Sequence, residues 1–571
     1  MKNNLDKDPS PYLQQHKNNP VNWQTWSMEN LSLAKKEKKP IILSIGYSSC
    51  HWCHVMAHES FEDEETSKIM NKYFINIKVD REERPDIDFV FQSSFQLFNQ
   101  SSGGWPLTMF LDENAIPFMG GTYFPKIEQN GLPSFKSVLL KINEIYSSER
   151  EKITKQAELI NKNLTLKKNA VLSQDLLSIL DQLVGKLDKE KGGFIGAPKF
   201  PTFNIFDTLL YFYNKTKEKK YLDPVQKILE KLTSQGIYDH VEGGVSRYTV
   251  DDEWLVPHFE KMLYDNAQFV SLLVRYSKIK PSEYLKNKII QTINFINKNF
   301  TNSNNHLLGS AYDADSEGEE GKYYTFTFNE IKDIENINKY FDIKKEGNWE
   351  GRTILRELEH PPQKLINELF EIRKKRKKPF FDNKTQLDLN CIWINSLIDA
   401  HQIMPEKEYL KDAENLFLNL EKTLINKKIF HSNSRTNVFL EDYAYLVNCL
   451  LNLYEETLNV RYKLLSKNIC KEAINKFYIV NKKIFQKNFI ETNDLFISPI
   501  DIGDHTIQNG NSIMLRNLSK LGFDKEAKEL AESLNGYLNV YQSFMASTIK
   551  SIDYHNQLLS GKKCDDAGCD I

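Results

Sequence analysis

Cysteine is scarce. Seven in 571 residues cannot build the disulfide framework of a small secreted scaffold, and reduced thiols are the expectation. Long hydrophobic runs are missing too. The longest, such as residues 41–45, fall far short of the roughly 20 residues needed to cross a bilayer. Residues 1–7 carry no apolar leader segment, so a cytoplasmic location is expected. Charge of either sign is not in excess: 75 Lys plus Arg stand against 77 Asp plus Glu, a net −2. No field draws the chain to nucleic acid or an anionic membrane, and neither is expected as a partner. With 24 Gly and 19 Pro, collagen-like and disordered classes are excluded. What is abundant is aromatic surface, 34 Phe, 26 Tyr and 7 Trp, enough to fill a large core or line a deep pocket. The length predicts more than one folding unit.

The chain changes character along its length. Residues 41–45 read as a buried strand, followed by a break at 46–49 and a helix from Cys50 to Met56. Further strands are expected at 74–80, 107–111 and around 120–123, and strands separated by helical stretches argue for an α/β sheet. From about residue 135 the periodicity is helical. Leu176, Leu177, Leu180, Leu183, Val184 and Leu187 recur at spacings of three and four, as do Leu440, Tyr443, Ala444, Val447 and Leu451. About a dozen such segments between 171 and 558 predict an α/α toroid or a helical-repeat array, and the lack of a fixed period favours the toroid. The predicted division is an α/β domain at 1–125, a helical connector at 126–170, an α/α barrel at 171–558 and a tail at 559–571. The basic run 373–378 reads as a solvated helix end before Pro379 rather than a nucleic-acid patch.

Ser49-Cys50-His51-Trp52-Cys53-His54 is the sharpest motif. Cys-x-x-Cys at a strand-to-helix junction sets Cys50 at a helix N-terminus, where free N–H groups and the dipole stabilise thiolate. Cys53 lies on the same face and can close or resolve a disulfide. Trp105-Pro106, just before a strand, sits where thioredoxin-like folds carry a cis-proline beside the dithiol. Three rivals stand beside dithiol chemistry. Covalent haem attachment belongs to exported proteins. A zinc site would use Cys50, Cys53, His54 and His58, but four ligands on one helix fit a tetrahedral ion awkwardly. Two inert buried thiols are the plain alternative. No cofactor is expected. Cys391, Cys449 and Cys470 read as core, and Cys564 with Cys569 as a frayed tail or a mobile dithiol arm.

Two polar stretches stand out in the helical half. Along 254–267, His258, Lys261 and Asp265 are expected on one helix face and Glu260 and Tyr264 on another, beside Trp254. Along 312–324, Asp313, Asp315 and Glu317 form an acidic loop. Carboxylates with a histidine and aromatic platforms suit a sugar site at the centre of a toroid. Alone, the acidic loop reads as solvated or calcium-like.

The stretches 10–13, 19–23, 50–56, 79–86 and 103–108, continued by 193–194, 197–201, 243–244, 257–266, 313–318 and 440–444, closely resemble the YyaL / spermatogenesis-associated thioredoxin-like family over nearly the whole chain. The resemblance implies a multi-domain α/β plus all-α protein: an N-terminal thioredoxin-like fold, then a six-hairpin (α/α) toroid related to N-acylglucosamine 2-epimerases and certain glycoside hydrolases. The chain departs from the family at Leu389-Asn390-Cys391, at Gln508-Asn509 and at Tyr324-Thr325-Phe326, on the sugar-enzyme side.

The expected function is thiol–disulfide exchange, with Cys50 attacking, Cys53 resolving, Pro106 shaping the groove, and the barrel binding a client or substrate. The alternative is a carbohydrate isomerase or hydrolase built on Trp254, His258, Glu260, Tyr264, Asp265, Asp313, Asp315 and Glu317. A non-catalytic client-binding protein is a third. The expected partner is a disulfide-containing protein or a small sugar.

Overall fold

A computed structural model describes residues 1–129, 131–164, 175–435, 437–492 and 494–562, together with the paired backbone of 564–565 and 568–569. The chain divides into two compact units. The first comprises Met1–Lys167 with Ser434–Phe439 and Gln486–Ile500; the second comprises Lys168–Asn433, Leu440–Phe485 and Asp501–Ile571.

The first unit is built on a five-stranded sheet of β1 (Gln24–Thr25), β2 (Ile41–Gly46), β3 (Ile75–Asp80), β4 (Leu107–Leu111) and β5 (Pro117–Gly121), in the order β1-β3-β2-β4-β5. β1, β3 and β2 run parallel; β4 is antiparallel to β2, and β5 is antiparallel to β4. Around it lie α1 (Pro11–Gln15), α2 (Met28–Glu37), α3 (His51–Met56), α4 (Glu64–Tyr73), α5 (Pro85–Asn99), α6 (Phe135–Ser148) and α7 (Arg150–Asn163). Period-two alternation sorts the strand residues onto two covered faces. Ile41, Leu43 and Ile45 of β2 and Ile75, Ile77 and Val79 of β3 pack with Ile87 and Phe91 of α5 and Ala34 of α2. The opposite face packs Ile42 and Phe110 against Tyr12, Trp23, Phe61, Phe135 and Leu139.

The sequence reading located β2, β3 and β4 to within a residue or two, while β5 begins at Pro117 rather than near 120. Part of the stretch expected as a helical connector packs inward: Phe135, Leu139 and Ile142 of α6 enter the core of the first unit. That unit also takes in two segments of the later chain, which bring Leu495 and Phe496 against one face of its core.

The second unit is a double ring of helices. Its inner helices are α9 (Phe203–Thr216), α11 (Leu263–Ile279), α16 (Leu387–Ile403), α18 (Leu440–Thr457), α20 (Gly510–Leu521) and α22 (Ala546–Leu559). Each packs on the next, and α22 packs back on α9, closing the ring. Between them in sequence run α8 (Leu176–Val184), α10 (Lys219–Ser234), α12 (Glu283–Asn299), α17 (Tyr409–Thr423), α19 (Val460–Phe477) and α21 (Asp524–Tyr541). Six alternating pairs on one closed ring make a six-hairpin α/α toroid, as expected. A long excursion between α12 and α16 holds α13 (Phe328–Ile331), α14 (Ile337–Tyr340) and α15 (Gln363–Arg373), and its strands β7 (Ala311–Tyr312) and β8 (Phe381–Asp382) form a small sheet with β6 (Lys261–Met262).

One asparagine device recurs on the ring. Near the start of α11, Asn266 accepts from the Val245 N–H at 2.8 Å and donates to the Val245 carbonyl at 3.1 Å. Asn390 does the same with Leu308, at 2.9 and 3.1 Å, and Asn511 with Phe485, both at 3.0 Å. A side-chain amide offers the same donor–acceptor pair as a peptide, so each asparagine pins the incoming loop as a strand partner would. The departures at 389–391 and 508–509 leave Asn390 and Asn511 in place.

Candidate functional site

Cys50 and Cys53 are joined by a disulfide where β2 hands over to α3. Cys50 is the N-cap of α3, and its sulfur accepts the Cys53 N–H at 3.2 Å. That is one of the helix donors left without an intrahelical carbonyl. Cys50 is 4% exposed and Cys53 2%, so both are buried. Trp52, 45% exposed, stands beside His51 and Tyr123 with ring centroids 5.7 and 5.2 Å away. The Trp105–Pro106 bond is cis, and Pro106 leads into β4 as expected. Trp105 is fixed by its indole N–H to Asp88 at 2.9 Å and by the Arg81 guanidinium 4.1 Å above its ring.

Beneath the disulfide the site is buried and apolar. A Cβ built on Gly46 would lie 2.8 Å from Cys53 Sγ and closer still to the Tyr12 hydroxyl. Only glycine therefore lets β2 pass under both. Lys78 of β3 is 1% exposed, with Nζ 3.1 Å from Ser44 Oγ and 4.5–5.1 Å from the Phe61, Trp23 and Tyr12 ring centres. Burial drives its amine well below the usual lysine range. His16, edge-on to Tyr12, is likewise driven well below its ordinary value, by burial and then by Lys78. Of the four residues weighed for zinc, Cys50 and Cys53 spend their sulfurs on each other, and His58 pairs with Glu62 at 3.1 Å. Cys391, Cys449 and Cys470 are buried free thiols; the side chains of Cys564 and Cys569 lie outside the described residues.

In the second unit none of the eight residues expected to form a pocket lines the ring cavity described below. His258 and Glu260 precede α11, which begins only at Leu263, so the shared helix faces expected for His258, Lys261 and Asp265 do not form. The reason is local: Phe259 has φ 54°, left-handed backbone that no right-handed helix accommodates. Trp254 is fully buried and donates to the Lys191 carbonyl at 2.8 Å. His258 stacks on Tyr248 at 4.8 Å, and Glu260 meets Arg247 at 3.3 Å. Tyr264 and Asp265 sit buried in the first turn of α11. Asp313 accepts the Asp315 N–H at 3.1 Å, and Glu317, at a turn with φ 55°, faces Lys322 at 3.5 Å.

The ring cavity, about 70 Å³, is lined instead by Asn204, Asp207, Gln268, Arg275, Asn395, Tyr445, Asn448, Gln508 and Arg516, with Phe203, Ser271, Leu272 and Ile392. Asp207 is clasped by Arg275 and, at 2.9 Å, by Lys550, and these cations hold its carboxyl down at about 2 against the cost of burial. Asn204 Oδ1 and Asn448 Nδ2 are buried without a hydrogen-bond partner among the described residues. Sequence reasoning missed this set because it comes from five helices hundreds of residues apart; polar residues on otherwise apolar inner helices were the available signal.

A second missed group is Asp388, His431 and Asp442, whose ligand atoms lie within 4.8 Å of one another, all buried. It has the donor set for a divalent cation. Both His431 nitrogens are already engaged, Nδ1 by Asp442 at 2.8 Å and Nε2 by Gln386 at 3.3 Å. Burial and the Asp442 charge push the Asp388 carboxyl up to about 7. The basic run is corrected at its two arginines: Arg373 is 2% exposed and meets Asp239 at 2.8 Å and Glu242 at 3.5 Å, and Arg376 binds Glu330 at 2.8 Å, while Lys374, Lys375, Lys377 and Lys378 are exposed as expected.

Residues 2–165 match the Thioredox_DsbH family model, described as a protein of unknown function, DUF255. The uncharacterized protein B0495.5 of Caenorhabditis elegans is 33% identical over 605 residues, covering 94% of this chain and 82% of its own. Human spermatogenesis-associated protein 20 is 31% identical over 536 residues, 79% of this chain and 67% of its own. Among solved structures, a D-mannose isomerase aligns with TM-score 0.45 at 11% identity over 68% of this chain and 100% of its own. The cellobiose 2-epimerase of Bacillus thermoamylovorans gives 0.43 at 12% over 68% and 87%.

Proposed function

The chain belongs to the family of spermatogenesis-associated protein 20, and from that premise we propose that it carries out thiol–disulfide exchange at Cys50 and Cys53. The observation that supports this most is the Cys50–Cys53 disulfide at the N-terminus of α3. The first unit is read as a thioredoxin-like fold, since parallel β1-β3-β2 joined to antiparallel β4-β5, with the dithiol at the β2–α3 junction, is the arrangement such chemistry uses.

In the reduced state Cys50, the N-cap of α3, is the thiolate, favoured by the Cys53 N–H and the helix dipole. It attacks one sulfur of a substrate disulfide. The substrate S–S bond breaks, a mixed disulfide forms on Cys50, and the departing substrate thiolate takes the proton of the Cys53 thiol. The Cys53 thiolate then attacks Cys50 Sγ, closes the intramolecular disulfide and expels the second substrate thiolate. Two electrons leave the cysteine pair and two enter the substrate. Trp52, Tyr123 and the Arg81–Trp105 stack offer aromatic surface for a protein client.

The test is a single-turnover reaction of the reduced protein with a peptide disulfide. Wild type should consume one equivalent. Cys53→Ser should stop at a mixed disulfide trapped on Cys50, and Cys50→Ser should do neither. Wild-type turnover by Cys50→Ser would sink the mechanism.

The second unit supports a second reading, a site for a small hydroxyl-rich solute such as a sugar. The observation favouring it is the ring cavity, where Asn204 Oδ1 and Asn448 Nδ2 offer an unmatched acceptor and donor among amide side chains. A hydroxyl group can satisfy both. A sugar present at about 100 times its Kd should stabilise the fold by about 2.7 kcal/mol. A melting-temperature screen over neutral mono- and disaccharides checks this. No shift with any of them, or an equal shift in Asn204→Leu, would remove the reading.

A further inference from the structure

The motif Ser10-Pro11-Tyr12-Leu13 has no part in the exchange reaction as described, yet it ends beside the dithiol. Ser10 caps α1, its hydroxyl accepting the Leu13 N–H at 3.3 Å, and the same hydroxyl donates to Asp80 Oδ2 of β3 at 2.6 Å. Thus α1 is tied to the strand that pairs with β2, and Gly46 faces Asp80 in the register. Tyr12 is carried inward from this anchor. Its side chain is fully buried, and its hydroxyl has no hydrogen-bond partner among the described residues. The space it occupies is the space over Gly46 shared with Cys53 Sγ, so hydroxyl and sulfur are neighbours across the missing Cβ.

A buried hydroxyl without an acceptor is costly, and such groups in folded proteins call for a reason. Here the partner is present but in its weak form. A disulfide sulfur is a poor acceptor, whereas the thiolate that develops on Cys53 during exchange is a strong, charged one. Water has little access, Cys53 being 2% exposed.

We propose that Tyr12 is a third catalytic residue of the dithiol site, its hydroxyl donating a hydrogen bond to Cys53 Sγ whenever the Cys50–Cys53 bond is open. This rests on the exchange reading above and adds to it the group that stabilises the resolving sulfur. Electron and proton flow is unchanged. The Cys53 proton still leaves with the first substrate thiolate, two electrons pass to the substrate, and Tyr12 keeps its proton throughout.

The neighbours suit a donor that is never ionised. Burial, and then the Asp80 charge, hold the Tyr12 hydroxyl far above the ordinary tyrosine range. Burial disfavours the charged forms of Lys78, over the ring, and of His16, at its edge. Asp80, the carboxylate facing this group from β3, is itself bound by Ser10 Oγ and, at 2.9 Å, by the Glu82 N–H.

The experiment is a redox titration of wild type and Tyr12→Phe in glutathione buffers, read by thiol alkylation mass. Loss of the donor destabilises the open form. The dithiol–disulfide equilibrium should shift toward disulfide about tenfold, a potential about 30 mV more negative. The mixed disulfide at Cys50 should also resolve more slowly while the first attack keeps its rate. Identical potentials for the two proteins would overturn the assignment. A wild type that never titrates would overturn the exchange reading itself, and this proposal with it. Should Tyr12→Phe fold poorly, the wild type still decides. Its reduced-minus-oxidised infrared spectrum, with ring-deuterated tyrosine, should show a phenol C–O shift at one tyrosine, and a spectrum without it overturns the proposal.

Discussion

The region under the dithiol and the second unit bury lysine in opposite ways, although elsewhere in the first unit the buried Arg84 meets Asp86 at 2.8 Å. In the second, buried cations meet carboxylates: Lys261 and Arg373 share Asp239 at 2.6 and 2.8 Å, Lys288 meets Glu357 at 2.8 Å, Lys384 meets Asp382 at 2.9 Å, and Lys550 meets Asp207 at 2.9 Å. In the first, Lys78 lies among Tyr12, Trp23 and Phe61 with the Ser44 hydroxyl as its described hydrogen-bond partner. A paired ion keeps its charge because its partner repays part of the desolvation cost; an unpaired amine sheds its proton instead. The toroid is thus held at fixed charge. Beneath the dithiol, burial disfavours the charged form of Lys78, and a low-dielectric interior is the setting in which a change of charge on one sulfur is felt most.

The comparison breaks first where a pair is cut. Arg373→Met leaves Asp239 and Glu242 facing Lys261 alone, and removing one member of a buried ion group should cost about 3–5 kcal/mol, read as a fall in the denaturation midpoint at constant slope. The same pairing predicts an acid limb. Asp207 is held down at about 2 by Arg275 and Lys550, whereas an unfolded aspartate titrates near 3.9. Between those values the unfolded chain binds more protons. The contribution is therefore whole above pH ~4 and is lost as pH falls toward ~2, roughly 2–3 kcal/mol in all. A solvated Arg373, as the basic run alone suggests, would instead be replaceable at almost no cost.

What was legible in the sequence divides along a related line: local patterns could be read, assembled ones could not. Cys50 and Cys53 sit three positions apart at a junction that propensity marks, and Pro106 is one residue from its strand, so the dithiol site was readable in outline. The toroid was readable because each helix carries its own apolar stripe. The ring cavity was not, since Asp207, Arg275, Asn395, Asn448 and Arg516 converge only when the ring closes. His258 and Glu260 were misphased because left-handed backbone at Phe259 delays α11 to Leu263. The charges of Arg373 and Arg376 looked solvated because their carboxylates, Asp239 and Glu330, lie far off in sequence. Tyr12 gave no signal of its own: an aromatic residue in an N-terminal arm reads as core until the sulfur beside it is seen.

The smaller effect is the one that tests whether Lys78 is neutral. Burial lowers its proton affinity in the folded chain, while the unfolded lysine titrates near 10.4. Across the range between the folded value and about 10.4, the unfolded state binds more protons, so the lysine's penalty falls and stability rises with pH. Lys78→Met keeps the length and removes the amine. It should be more stable than wild type at pH 7, by about 1–3 kcal/mol, and the gap should close as pH approaches 10. Chemical denaturation of both proteins at several pH values between 6 and 10 measures that gap directly. A variant that is less stable at every pH, with no change in the gap, would mean that the three ring faces hold an ammonium by cation–π attraction. The dithiol would then sit above a fixed charge, and the contrast between the two regions would be one of ligand type, aromatic faces against carboxylates, rather than of charge against neutrality.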